Sequence, residues 1–248
     1  MLTLSHLQGK VALITGAGSG LGEAAARAFA TAGCSIAGVD IDQAALERVF
    51  RELNKQEASC LVLPCDIQDA SAVSTVTQQA GEWLGHLDIL INCAAIDYTY
   101  PVEELSVEQW DREIAVNLRG PFLFARAAFP WMKRQSAGHI FNVASTAAVR
   151  AWANASPYHA SKWGLLGFSR GLSVEGRPYG IRVTTIIPGG MQTHFFDRFI
   201  EQGIPLPDPA NLQDPATVAE TMVFAAQMPA RSALQEVLVT PLNETSWP

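Results

Sequence analysis

The sequence predicts an α/β fold, a doubly wound parallel sheet of seven strands with helices on both faces. Two observations carry this. Short apolar runs alternate with amphipathic stretches along the whole chain, as parallel pairing through helical crossovers requires. A glycine-rich turn, TGAGSGLG from Thr15 to Gly22, lies between the first run and the first amphipathic stretch, which makes the fold Rossmann-like.

The elements follow in order. The first strand is KVALIT (10–15), and the first helix covers 20–32, with Gly33 suited to a left-handed stop. SIAGVD (35–40) precedes a helix near 42–56, and CLVLPC (60–65), with Pro64 marking its end, precedes one near 69–84. DILINC (88–93) leads into a long helical pattern over 106–133, and HIFNVAS (139–145) into one over 156–176. IRVTTII (181–187) stops at Pro188. A helix at 215–228 and EVLVT (236–240), closed by Pro241, complete the series. Residues 189–215 break the rhythm with Gly189, Gly190, Gly203, Pro205, Pro207 and Pro209 around HFFDRF, the composition of a functional lid. No linker divides the chain, so one domain over 1–248 is expected.

Composition narrows the function. The 248 residues are 48% hydrophobic and 17% charged, with a net charge of −7. This leaves no basic surplus for nucleic acid or for an anionic membrane surface. Apolar runs such as LDILINCAAI are about half a membrane span, and MLTLSHLQGK has no basic region followed by an apolar one. Cys34, Cys60, Cys65 and Cys93 form no CxxC pair and read as buried thiols. A cytoplasmic protein is expected, and no cluster has the spacing of a metal site.

In the turn, Gly16, Gly20 and Gly22 permit a tight bend, close approach of a pyrophosphate to backbone N–H groups, and close helix packing. Glycine turns of this type are also common without a cofactor. Asp40 ends the second strand, where a carboxylate can accept hydrogen bonds from the adenosine ribose and repel a 2′-phosphate. Neither Ser19 nor Ile41 supplies a compensating cation, so NAD(H) is preferred over NADP(H). The alternative is that Asp40 caps the helix starting near Asp42.

Tyr158 and Lys162 are four residues apart in SPYHASKWG, thirteen residues after Ser145. On a helix they share a face, and the cation favours the phenolate of a side chain whose ordinary pKa is about 10. Taken singly, a Tyr–Lys pair is a surface neighbour pair, Ser145 a cap, and Asn117 beside Gly120 and Pro121 a kink. His159, adjacent on the helix, points about 100° away from Tyr158 and toward a neighbouring helix or solvent.

The succession of TGAGSGLG, Asp40, CDI (65–67), NCAA (92–95), Asn117, Ser145, Tyr158, Lys162 and PGGMQT (188–193) resembles the single-domain branch of the short-chain dehydrogenase/reductase family. The resemblance runs from about residue 8 to the C-terminus. It implies that Tyr158 is the general acid/base, that Lys162 holds the nicotinamide ribose and lowers the Tyr158 pKa, that Ser145 orients the substrate oxygen, and that Asn117 holds a water. It further implies cofactor contacts from Gly16, Ser19, Gly20, Leu21, Gly22, Asp40, Asp66, Ile67, Asn92, Ala94, Tyr158, Lys162, Pro188, Gly189 and Thr193. The sequence departs from the family's Asn-Asn-Ala-Gly pattern by placing Ala95 where glycine is usual, a source of strain if that position has positive φ.

The resulting reading is an NAD(H)-dependent oxidoreductase interconverting a secondary alcohol and a ketone. The alternatives are a reductase of 3-oxoacyl thioesters on acyl carrier protein or coenzyme A, and a non-catalytic dinucleotide sensor. Ala95 to Tyr98, Ala147 to Trp152, Met191, His194, Phe195 and Phe196 are the expected pocket walls. Arg150 is either a carboxylate anchor or a subunit contact. The resemblance also implies a homotetramer or homodimer joined through the helices of Asn117 and Tyr158. The C-terminal segment TPLNETSWP, with Trp247, either completes a subunit contact or covers a neighbouring pocket.

Overall fold

The computed structural model describes residues 6–244, apart from the side chains of Arg198 and Glu201. Trp247 and the first half of MLTLSHLQGK lie outside the described residues. Among those residues, seven strands form one parallel sheet in the order β3-β2-β1-β4-β5-β6-β7. The strands are β1 (Val11–Thr15), β2 (Ser35–Asp40), β3 (Cys60–Pro64), β4 (Ile89–Asn92), β5 (Gly138–Val143), β6 (Ile181–Pro188) and β7 (Glu236–Val239).

Every residue of β1 and β4 is buried, because helices cover both faces of the central strands. One layer gathers Phe29, Phe50, Phe141 and Met222, and the other gathers Leu13, Leu90, Phe124 and Met132. Phe29 and Phe141 meet edge to face at 6.2 Å. Each such side chain contributes about 1.5–3 kcal/mol of burial.

The helices start where short polar residues satisfy their open N–H groups. Helix α1 is Gly20–Thr31, and α2 (Gln43–Lys55) is capped by Asp42, whose side chain accepts the Ala45 N–H. Asp69 accepts from Ser71 and Ala72 at the start of α3 (Ala70–Leu84), which ends at Gly85 in the left-handed region. Ser106 and Gln109 form a capping box on α4 (Val107–Ile114). Two glycines in the first turn also need positive φ, Gly16 at 70° and Gly20 at 53°.

The single helix expected over 106–133 is instead three pieces. Between α4 and α5 (Gly120–Gln135) the residues Ala115–Arg119 form a π-turn, with Gly120 N–H reaching back to Ala115. Pro121 has no N–H to give Asn117, so the regular ladder cannot pass this point. A Cβ on Gly120 would stand 2.8 Å from Ile67, which keeps this bend pressed on the end of β3.

Helix α6 (Ser156–Gly176) follows β5 after a short turn, Thr146–Ala148. Ser145 therefore lies beyond the strand expected to end with it. Residues 189–215 are ordered into short turns, His194–Phe196 and Pro209–Asn211, and a brief helix, α7 (Asp197–Glu201). A parallel bridge between Met191 and Gln213 closes the base of this segment, and α8 (Pro215–Gln227) follows.

Candidate active site

β1 and β4 are neighbours, yet the chain leaves them in opposite directions along the sheet. This reversal opens a crevice at their carboxyl ends. The glycine turn lines one side of it. A Cβ on Gly22 would be 2.0 Å from the Gly16 carbonyl oxygen, and one on Gly16 would be 2.9 Å from Ala94 Cα. Ser19 is extended and makes no side-chain cap, so the first N–H groups of α1, at Gly20 and Leu21, are not consumed by one and suit an anion. Thr193 stands across from Gly20, 3.5 Å from where its Cβ would be. These features fit a dinucleotide pyrophosphate.

Asp40 meets the turn from β2. Its Oδ2 accepts the Gly18 N–H at 2.9 Å and its Oδ1 accepts the Asp42 N–H at 3.0 Å. The helix cap is Asp42, so the capping alternative for Asp40 is not what the structure holds. Sequence reasoning missed Arg48, which donates to the Gly18 carbonyl at 3.1 Å and pairs with Glu23 at 2.8 Å. Two turns of α2 carry it back over the glycine turn, a placement that helical spacing from Asp42 signals.

At the far side of the crevice, Tyr158 is 8% and Lys162 2% exposed. The Lys162 ammonium lies 5.5 Å from the Tyr158 ring centroid and donates to the Val143 carbonyl at 2.9 Å. Burial brings the Lys162 pKa down to about 8, against the raising effects of Cys93, Glu113 and Asp97. Ser145 Oγ accepts the N–H of Ala147, and Ala147 packs with Tyr158, Ala155 and Phe195. The end of β5 and the first turns of α6 thus bring a phenol, an ammonium and a hydroxyl to one edge of the sheet.

A model of short chain dehydrogenases matches residues 10–202 of this chain. The chain belongs to the short-chain dehydrogenase/reductase family. It is an oxidoreductase by that membership. A D-threitol dehydrogenase of Mycolicibacterium smegmatis is 40% identical over 74% of this chain and 70% of its own length. An alcohol dehydrogenase of the archaeon Thermococcus sibiricus, solved with 5-hydroxy-NADP, superposes with a TM-score of 0.88 at 26% identity, covering 97% of this chain and 100% of that one. A metagenomic short-chain oxidoreductase solved with NADP gives a TM-score of 0.84 at 29% identity over 97% and 100% of the chains.

Several site side chains of this short-chain dehydrogenase/reductase are also bonded within the fold. The Asn117 amide is fully buried and turned onto Ile96, accepting its N–H at 2.8 Å and donating to its carbonyl at 2.7 Å, with Ser161 Oγ at 3.2 Å. It pins the chain after β4. Asn92 donates to Asn142 across the sheet at 2.8 Å, which ties its side chain to β5. Thr15, another residue missed, accepts from Cys93 and Ala94 N–H groups and sets the exit of β4. Ala95 is not among the described non-glycine residues with positive φ, so the feared strain is absent there.

Arg150 pairs with Glu244 of its own chain, and Glu244 also accepts the Gly190 N–H at 3.2 Å. Nothing in the sequence pointed to Glu244 as a partner of Arg150. His159 faces the Ala147–Trp152 loop, with Nδ1 3.0 Å from the Ala147 carbonyl and Nε2 3.1 Å from Trp152 N. Asp66 accepts from Gln68 N–H at an exposed position, and Ile67 is buried beside Gly120. Pro188 ends β6, while the Gly189 N–H is bound to Val239. A cavity of about 990 Å³ between α1, α8 and residues 192–216 is lined by Gly20 and Thr193 and by two of the expected pocket walls, His194 and Phe196.

Burial pushes the thiols of Cys34 and Cys93 up to about 12 and those of Cys60 and Cys65 up to about 11. Among the described residues no three His, Cys, Asp or Glu side chains gather as a metal site, and no helix is long and apolar enough to cross a membrane.

Proposed function

We propose that the protein interconverts a secondary alcohol and a ketone, with Tyr158 as general acid/base and NAD(H) as the preferred cofactor. The observation that carries this is the buried Lys162 ammonium over the Tyr158 ring at the carboxyl edge of the sheet. An ammonium so close favours the phenolate, the form able to take an alcohol proton. Ser145 orients the substrate oxygen toward Tyr158 by hydrogen bonding. When bound, the dinucleotide supplies the hydride donor or acceptor.

Gly16 to Gly22 would hold the pyrophosphate, Asp40 the adenosine ribose, and Asp66 and Ile67 the adenine. Asn92, Ala94, Pro188, Gly189 and Thr193 would line the path to the nicotinamide, whose ribose falls to Tyr158 and Lys162. Asp40 supports NAD(H), and the nearby Arg48 is already paired with Glu23.

For substrate, the D-threitol dehydrogenase relative and the neutralised Arg150 support a small neutral polyol. No specific observation favours an acyl thioester. Exposed Phe122, Trp163 and Val174 on α5 and α6 support a homo-oligomer through those helices.

The test is NAD-linked oxidation of a panel of four- to six-carbon polyols by wild type and Tyr158→Phe. Turnover that falls by about 10²–10⁴ in the variant supports the reading. Equal turnover by the two proteins removes Tyr158 from the chemistry.

A further inference from the structure

We propose that Glu113 is a positioning residue for the Tyr158–Lys162 pair: its buried carboxylate holds the Ile96–Tyr98 wall against Asn117 and keeps Lys162 in its ammonium form. The proposal rests on the reading of Tyr158 as the proton-transfer group.

Glu113, in the last turn of α4, is 0% exposed. A carboxylate there is strongly unfavourable unless it is hydrogen-bonded and meets opposite charge. Its Oε2 accepts the Tyr98 N–H at 3.0 Å, and its Oε1 lies 3.5 Å from Asn117 Nδ2. Asn117 in turn grips Ile96 by both its N–H and its carbonyl, and touches Ser161, the residue before Lys162. One acid and one amide, a helical turn apart, therefore hold the loop after β4 at Ile96 and Tyr98 and reach the helix that carries the lysine.

Lys162 faces Cys93 and Asp97 from the end of β4, Glu113 from α4, the Val143 carbonyl from β5 and the Tyr158 ring from its own helix. The Cys93 thiol, pushed up to about 12, is neutral where Lys162 titrates near 8. The groups left to favour the ammonium against burial are the acids Glu113 and Asp97. A tyrosine and a lysine sharing one proton exist either as phenolate with ammonium or as phenol with neutral amine. Negative charge on the lysine side of the pair selects the first form. Only that form has a base ready for an alcohol proton.

Glu113→Gln keeps the shape and the acceptor for Tyr98 while removing the charge. The ultraviolet tyrosinate signal is titrated in wild type and in Glu113→Gln without cofactor or substrate, each against its own Tyr158→Phe partner to isolate Tyr158. The phenolate is expected to appear at higher pH in Glu113→Gln, by about half a unit or more, with the acidic limb of alcohol oxidation moving the same way. Glu113→Leu serves the same titration should the Gln variant fail to fold. Equal midpoints in wild type and the charge-free variant overturn the proposal. Failure of the underlying reading is separately visible, because it shows as full alcohol oxidation by Tyr158→Phe itself.

Discussion

Asp40 is the residue on which the proposed cofactor choice turns, and replacing it tests both its charge and its scaffold role. Its two oxygens accept backbone N–H groups of Gly18 and Asp42 at 2.9 and 3.0 Å. Hydrogen bonds to a charged group contribute about 1.5–3 kcal/mol, reduced here by partial exposure to about 1–2 kcal/mol for the pair. Asp40→Ala then weakens NADH binding through a lost ribose acceptor and a looser turn, by roughly five- to thirtyfold at 1.4 kcal/mol per decade. Asp40→Asn separates the two effects, because its amide oxygen still accepts one N–H while the charge that repels a 2′-phosphate is gone. Nicotinamide fluorescence titrations with NADH and NADPH provide the assay. The NADH-to-NADPH affinity ratio should fall in both variants, and further when Glu23→Gln is added to Asp40→Asn and frees Arg48 from its partner at 2.8 Å. A wild type that prefers NADPH, or a ratio unmoved by Asp40→Asn, refutes the charge argument.

The Lys162 pKa is depressed from 10.5 to about 8 by burial, so the folded state binds fewer protons between those values and stability from this group rises with pH across that window. Denaturant unfolding of wild type should show stability rising between about pH 8 and 10.5, and this rise should be missing from Lys162→Met, which also loses activity. Gly22→Ala puts a methyl group 2.0 Å from a carbonyl oxygen and should lower the Tm and abolish dinucleotide binding, whereas Gly167→Ala, on α6 with nothing within 4 Å, should gain about 0.5–1 kcal/mol. Light scattering should give a smaller mass for Phe122→Glu combined with Trp163→Glu than for wild type if those exposed faces pair, and an unchanged mass sinks that assignment.

Strands and helices were legible because each is announced by an unambiguous period and closed by a proline, glycine or acidic cap, as at Pro64, Gly33 and Asp69. The π-turn was not, since its cause is the meeting of Pro121 with the ladder at Asn117, and periodicity is blind to a single missing donor. The glycine turn, Asp40, Tyr158 and Lys162 were legible because spacing alone brings them to strand ends and one helix face. Glu113, Arg48 and Glu244 were not. Their roles depend on contacts between segments 15 to 94 residues apart, which only the folded sheet creates.

Those three long-range contacts share a consequence for what the crevice accepts. At the adenosine end Arg48 is held by Glu23, and at the substrate end Arg150 is held by Glu244, so both guanidinium groups spend their charge inside the chain. Lys162 sits beside Tyr158 and under the influence of Glu113 and Asp97. An anion arriving at either end, whether a 2′-phosphate or a substrate carboxylate, would have to displace an internal acid before finding a partner. A ribose diol or a polyol needs only hydrogen-bond acceptors and donors, and Asp40 and Ser145 supply these without breaking an ion pair. The same charge logic thus supports NAD(H) and a neutral substrate together, and Glu244→Gln is the change that should relax it by lowering the KM for a hydroxy acid relative to a polyol.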